Sequence, residues 1–155
     1  MIKDAFLSKD RLYRYALWRV WDDSVPQAMF IGLNPSTADE SNDDKTLRRC
    51  ISFSKAWGYG GVCMANLFAF RATDPDDMKL ARDPVGPEND SWIIQLASEA
   101  DIVVAAWGNH GVYRGRANAV KELVEDLHYL NINASGEPKH PLFVKSGCKP
   151  KKWGI

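Results

Sequence analysis

The chain has 155 residues and a balanced charge, with 20 Lys and Arg against 20 Asp and Glu. A balanced charge creates no overall field toward nucleic acid or membranes, so a local patch must hold any anionic partner. Hydrophobic residues make up 45% of the chain, which excludes a disordered polymer. No apolar stretch approaches the roughly 20 residues that span a bilayer. Residues 1–10 lack the apolar core of a secretory signal, and we therefore expect a cytoplasmic protein with no membrane partner.

The predicted elements alternate between strands and helices. Apolar and basic residues alternate over 11–21, which predicts a half-buried strand. Further strands are predicted at 28–33, 61–66, 102–106 and 129–132, and helical segments at 47–57, from 74 onward, at 88–100 and at 115–127. This order predicts a three-layer α/β/α fold with a mostly parallel central sheet. We expect one domain over 1–155, with a strand or hairpin added at 1–25 and a basic tail at 145–155.

Two further patterns concern metals and cofactors. Cys50, Cys63 and Cys148 include no Cys-x-x-Cys pair, so we expect no disulfide framework, zinc site or iron–sulfur cluster. The acidic residues at 39–44 and Asp74 lack the spacing of a metal-binding loop and predict a solvated loop. The sequence therefore predicts neither a metal nor a cofactor, and its pattern fixes no oligomeric state.

Three polar motifs each follow an apolar strand, and a fourth lies in a loop that contains two prolines. These motifs are Gly32-Leu33-Asn34-Pro35-Ser36, Asn66, Trp107-Gly108-Asn109-His110 and His140-Pro141. In open α/β sheets, ligands bind at the carboxyl ends of the strands. We therefore expect these side chains to converge on one site, although they are far apart in sequence.

The two asparagines allow two interpretations each. Pro35 fixes the turn behind Asn34, whose amide either caps that turn or orients a water molecule. Asn66 either pairs with the loop that follows it or recognises the polar edge of a ligand. Phe68 either supplies a stacking face for such a ligand or belongs to the core.

The later motifs also have two interpretations each. Gly108-Asn109 is either an ordinary strand-to-helix loop or the start of a helix whose N-terminus binds an anion, with Arg114 and Arg116 adding charge. His140, stiffened by Pro141, is either an exposed loop residue or a hydrogen-bond partner for a developing anion.

The order of these motifs resembles the uracil-DNA glycosylase superfamily. Gly32-Leu33-Asn34-Pro35 is similar to the Gly-x-Asn-Pro motif of its mismatch-specific branch, and Asn66 is similar to its base-recognising asparagine. Trp107-Gly108 resembles the end of the third strand of that superfamily, and His140-Pro141 resembles its His-Pro motif. The segment 32–75 also resembles an uncharacterised bacterial and phage family with Gly-Leu-Asn-Pro-Ser and Asn-Leu-Phe-x-x-Arg-x-Thr motifs, the latter including Arg71.

The resemblance implies a DNA glycosylase-like fold and a role for each matched residue. Asn34 would position the attacking water, Asn66 would bind the extruded base, and His140 would stabilise the departing base. Leu142 or Phe143 would act as the wedge that offsets the cost of base extrusion. The remaining predicted substrate contacts are Gly32, Pro35, Ser36, Phe68, Arg71, Trp107, Gly108 and Asn109.

Two hypotheses of function follow. The first, which we favour, is a hydrolase that cleaves the N-glycosidic bond of a damaged or modified base in DNA or in a nucleotide. The second is a non-catalytic module that binds a nucleotide or nucleic acid through the same pocket, with phosphate held near Gly108-Asn109 and Arg71.

Overall fold

The computed structural model describes residues 1–154, which form seven strands and four α-helices. The strands are β1 (Ile2–Leu7), β2 (Arg14–Val20), β3 (Gln27–Gly32), β4 (Gly61–Asn66), β5 (Ile102–Ala105), β6 (Leu127–Tyr129) and β7 (Lys151–Lys152). The helices are α1 (Lys45–Ala56), α2 (Pro75–Leu80), α3 (Asn89–Glu99) and α4 (Arg116–Leu123). Short 3₁₀ segments follow β5 at Asn109–Gly115 and precede β7 at Pro141–Phe143. No helix within residues 1–154 is long and apolar enough to cross a membrane.

All seven strands join one mixed sheet in the order β1-β2-β4-β3-β5-β6-β7. Strands β4, β3, β5 and β6 are parallel to their neighbours in this group, whereas β1 with β2, β2 with β4 and β6 with β7 pair antiparallel. The prediction of a mostly parallel sheet was therefore wrong. One reason is that the connection between β1 and β2 is too short for the crossover that a parallel pair requires.

Apolar layers cover both faces of the sheet. Helix α1 packs on one face, and α3 and α4 pack on the other. The face under α1 contains Phe30, Val62, Val104, Leu47, Cys50 and Phe53, and the opposite face contains Met29, Cys63, Val103, Ile93, Leu96 and Val120. Burial on both faces explains why the parallel strands are continuous apolar runs in the sequence.

Several predicted boundaries needed correction. The strand predicted as half-buried is buried along most of β2, because α3 covers one side and the segment 38–43 receives Arg19 on the other. The helix predicted to reach residue 127 ends at Leu123, since Val124 is extended. Asp126 then adopts a positive φ of 57° that turns the chain into β6, which begins two residues before the predicted start of a strand at 129. Pairing of Leu127 with Val103 fixes this earlier start.

Candidate functional site

A cleft of about 640 Å³ opens at the carboxyl ends of the parallel strands. Its size is within the range of small-molecule sites. The predicted site residues that line it are Gly32, Asn34, Pro35, Ser36, Asn66, Trp107, Gly108, Asn109, His140 and Leu142. The sheet therefore brings together side chains from four separate parts of the sequence, as the motif order predicted.

Asn34 holds its amide group in a fixed orientation. Its Nδ2 donates a hydrogen bond to the Ala72 carbonyl at 2.7 Å and one to the Pro35 carbonyl at 3.2 Å. Because both partners are acceptors, the amide nitrogen must point toward them, and Oδ1 is left as an acceptor without a partner among residues 1–154. The side chain thus fixes the local turn and still offers an oxygen to a water or ligand donor.

Asn66 presents an unsatisfied donor. The residue is 3% exposed, and its buried Nδ2 has no hydrogen-bond partner among residues 1–154. A buried donor left unpaired costs about 1–3 kcal/mol, so such groups are rare unless a ligand or water completes them. Gly32 makes room for this amide, because a Cβ atom at that position would lie 2.8 Å from Asn66 Oδ1.

His140 is held in one tautomer at the start of the second 3₁₀ segment. Its Nδ1 accepts a hydrogen bond from the Leu142 backbone N–H at 3.2 Å, which assigns the proton of the neutral ring to Nε2. Burial lowers the pKa of His140 below its usual value of 6.5, and the carboxylate of Asp44 opposes that shift. The ring is therefore neutral at pH 7 and offers Nε2–H as a donor.

The Trp107-Gly108-Asn109 segment serves the architecture of the cleft. Trp107 Nε1 donates to Glu137 Oε2 at 2.7 Å, and Asn109 Oδ1 accepts hydrogen bonds from Asn133 and Ser135. These contacts attach the strand end to the loop that carries His140. The α-helix expected to follow this turn begins only at Arg116, because the chain first forms a kinked 3₁₀ segment over Asn109–Gly115.

The charges predicted beside that segment are also placed differently. Arg116 is buried and donates to the Leu67 carbonyl and to Asp90, so its guanidinium supports the fold. Arg114 has a positive φ of 53° and lies over the ring of Tyr113. Neither arginine lines the cleft.

Two predicted site residues lie outside the cleft. Phe68 is fully buried and packs against Tyr113, with ring centroids 5.6 Å apart, so it offers no stacking face to a ligand. Arg71 lines a side groove of about 310 Å³ that shares Ser36 and Thr73 with the cleft. Its buried Nε has no partner among residues 1–154.

A family model described as a protein of unknown function, DUF1643, matches residues 14–142. The chain belongs to the DUF1643 family. The matched segment includes the residues that the sequence assigned to the site, except the alternative wedge residue Phe143, which follows its last position. No curated protein and no solved structure matches the chain significantly.

The structure adds cleft residues within the DUF1643 segment that the motif analysis missed. Arg14, at the start of β2, and Asp44, at the N-terminus of α1, both line the cleft. Asp44 accepts hydrogen bonds from the backbone N–H groups of Leu47 and Ala38, which explains its position before the helix. An aspartate three residues before Leu47, where the helical pattern begins, was a usable signal for a cap, although not for a cleft residue.

The acidic segment 39–44 is occupied by contacts within the chain. Asp39 accepts from the backbone N–H groups of Ser41 and Asn42, and Asp43 pairs with Arg19 at 2.9 Å. Among residues 1–154, no cluster of three or more His, Cys, Asp or Glu is arranged to hold a metal ion.

Proposed function

We propose that this DUF1643 protein hydrolyses the N-glycosidic bond between a base and its sugar, on a glycosylase-like fold. The observation that carries the proposal is the shared cleft of Asn34, Asn66 and His140. These residues supply an acceptor for water, a donor for a polar base edge and a donor for a leaving group. That combination matches the roles implied by the resemblance to uracil-DNA glycosylases.

In the proposed reaction, Asn34 orients the water. Its free Oδ1 accepts one hydrogen bond from water, which aims an oxygen lone pair at the sugar carbon. An amide cannot take up the water proton, so Asn34 contributes position but no general base. When the water attacks the sugar carbon, its proton passes to solvent or to the departing base anion, so the reaction depends on how well that base is stabilised.

Stabilisation of the departing base falls to His140. When the C–N bond breaks, its electron pair moves to the base, and negative charge develops on a carbonyl oxygen or ring nitrogen of that base. The Nε2–H group of a neutral imidazole can donate a hydrogen bond to this developing charge. The backbone contact from Leu142 keeps the ring in the tautomer that this role requires.

Base recognition falls to Asn66. A planar amide can bind the hydrogen-bonding edge of a base with its oxygen and nitrogen together. The unpaired Nδ2 is the part of this group that a base carbonyl would satisfy. Leu142 and Phe143, which are 42% and 77% exposed at the cleft, are the candidates for a wedge when the base comes from a duplex.

The second candidate is a binding module that keeps the pocket without the chemistry. It is favoured by the state of Asp44, the carboxylate among the described residues that lines the cleft. Its Oδ1 caps α1 at the Leu47 N–H and its Oδ2 accepts from the Ala38 N–H, so both oxygens already have partners. This module would bind the base at Asn66 and a phosphate near Arg71 in the side groove.

A base-release assay tests the proposal. The full chain is incubated with oligonucleotides and free nucleotides that contain uracil, mismatched, deaminated or hypermodified bases. Released base is quantified by chromatography, and abasic DNA by alkaline cleavage. The wild type should release at least one base, and His140→Ala should lower the rate by about 10²–10³-fold, the typical cost of one donor to a developing charge.

Two further variants sharpen the assay. Asn34→Ala should lower the rate by about 10²-fold, since it removes the group that positions water. His128→Ala should leave the rate unchanged, because His128 lies on β6 outside the cleft. Binding without base release would favour the binding module. Base release at equal rates by the wild type and His140→Ala would refute the proposed mechanism.

A further inference from the structure

Arg14 faces the cleft because of an irregularity in β2. Phe6 pairs with Ala16 and Leu7 pairs with Arg14, so Tyr15 is an extra residue with no partner on β1. A bulge of this kind reorients the neighbouring side chains of its strand and often occurs next to functional sites. It places Arg14 on the cleft side together with Leu17, whereas Ala16 belongs to the core on the opposite face.

The guanidinium of Arg14 is buried with little compensation. The residue is 4% exposed, Nη1 donates to the Ala38 carbonyl at 3.0 Å, and the buried Nε has no partner among residues 1–154. Desolvation lowers the pKa of Arg14 to about 10, and the nearby charge of Asp44 opposes that shift. The group is still cationic at pH 7, and within the described chain no carboxylate lies within 4.0 Å to form an ion pair with it.

We propose that Arg14 binds an oxyanion of the ligand, so that the cleft accepts a nucleotide with a negatively charged group at its inner wall. The group is either a terminal phosphate or an acidic substituent on the base. Both present the oxygen lone pairs that a guanidinium binds through charge-assisted hydrogen bonds. This inference rests on the proposed function for the choice of a nucleotide, and it adds the class of substrate.

The position of Arg14 in the cleft supports an internal anion over the backbone phosphates of a long duplex. Arg14 shares the inner wall with Leu17, Leu47 and Met64, all of which are buried, whereas Phe143, another lining residue, is 77% exposed. A charged group on the inner wall contacts the part of the ligand that lies deepest in the cleft, which a backbone phosphate of a long duplex would not reach. Asn66 Nδ2 is a second buried donor without a partner at the same cleft, so a ligand with two acceptor groups could bind both Asn66 Nδ2 and Arg14 Nε.

Two matched pairs of probes test this inference by calorimetric titration of the full chain. Deoxyuridine 5′-monophosphate against deoxyuridine isolates a terminal phosphate, and 5-carboxydeoxyuridine against deoxyuridine isolates an acidic base. The wild type should bind at least one charged member about 100-fold more tightly than deoxyuridine, as expected for a desolvated charge-assisted contact. Arg14→Met should abolish that preference.

Three comparisons make the result specific. Arg14→Lys, which keeps the charge but loses the planar fork, should retain part of the preference. Arg48→Met removes an exposed arginine outside the cleft and should change nothing. Thermal unfolding of each variant shows whether it folds, and Arg14→Gln replaces Arg14→Met if that variant does not.

The outcomes separate this inference from the proposed function. Charge preference that disappears in Arg14→Met supports the oxyanion site even if no base is ever released. Equal affinities for charged and neutral probes, including no measurable binding of any probe, would overturn it. A charge preference that persists in Arg14→Met would also overturn it, whatever the base-release assay shows.

Discussion

The two ends of β2 each bury an arginine, and the two arginines differ in their partners. Arg19 is fully buried, and its guanidinium donates to Asp43 at 2.9 Å and to the carbonyls of Trp18, Asp39 and Asn42. Arg14, on the same strand, donates to one carbonyl and leaves Nε unpaired. One strand thus carries a satisfied buried charge at one end and an unsatisfied one at the other.

This difference distinguishes a buried charge that supports the fold, Arg19, from a buried charge that we propose binds a ligand, Arg14. A buried arginine with a complete set of acceptors holds the segment 39–43 against the sheet and needs nothing from outside. A buried arginine with an open donor costs free energy unless a further acceptor arrives. In the described chain, two of the four buried side-chain atoms without a partner, Arg14 Nε and Asn66 Nδ2, belong to residues that line the cleft, and a third, Arg71 Nε, belongs to the adjoining side groove.

The largest expected effect is on the structural end of the strand. Arg19→Met removes a donor from Asp43 and from four backbone carbonyls, and we expect it to lower the free energy of unfolding by about 3–5 kcal/mol. Denaturant unfolding measures this change. Arg14→Met, in the same experiment, should change stability by about 1 kcal/mol or less, because it removes a charge that lacked compensation. Equal losses of unfolding free energy in Arg19→Met and Arg14→Met would show that the two arginines do not differ in how well the fold compensates their charges.

An intermediate effect is expected at Gly32. Gly32→Ala places a methyl group 2.8 Å from Asn66 Oδ1 and forces that amide to rotate. The clash involves the end of a side chain, so the stability cost should be about 1 kcal/mol or less, whereas nucleotide affinity should fall about tenfold or more through loss of the base contact. Calorimetric titration and thermal unfolding of the variant measure both quantities. Gly147→Ala, where an added Cβ meets no atom within 4 Å, is the matched control. Unchanged affinity in Gly32→Ala would argue against base recognition by Asn66.

The smallest expected effect concerns pH. Burial lowers the pKa of His140 in the folded state, so the unfolded chain takes up a proton at this position first as the pH falls. The contribution of His140 to stability is therefore complete above its unfolded pKa of about 6.5 and decreases below that pH. The difference in the free energy of unfolding between the wild type and His140→Ala should be constant from about pH 8 to pH 6.5 and should decrease from there toward about pH 5. If the difference between the two proteins stays constant over that range, His140 is not held neutral by the fold.

The strand-end motifs were predictable because they depend on short-range patterns. Apolar runs followed by Asn34 and Asn66 give both the strand and the position of the polar group at its carboxyl end, and Asp74 before Pro75 marks a helix start. The bulge at Tyr15 depends on how β1 pairs with β2, so the sequence of β2 alone does not place Arg14 in the cleft. The burial of Phe68 likewise depends on packing against Tyr113, which is distant in sequence.

The most direct test of the account is an experimental structure of the chain with the most tightly bound probe of the calorimetric panel. We expect a polar edge of the base to lie within hydrogen-bond distance of Asn66 Nδ2 and an oxyanion to contact the guanidinium of Arg14. We also expect Nε2 of His140 to face the base. A ligand bound elsewhere, or one in the cleft that leaves both Asn66 Nδ2 and Arg14 Nε unpaired, would contradict the account.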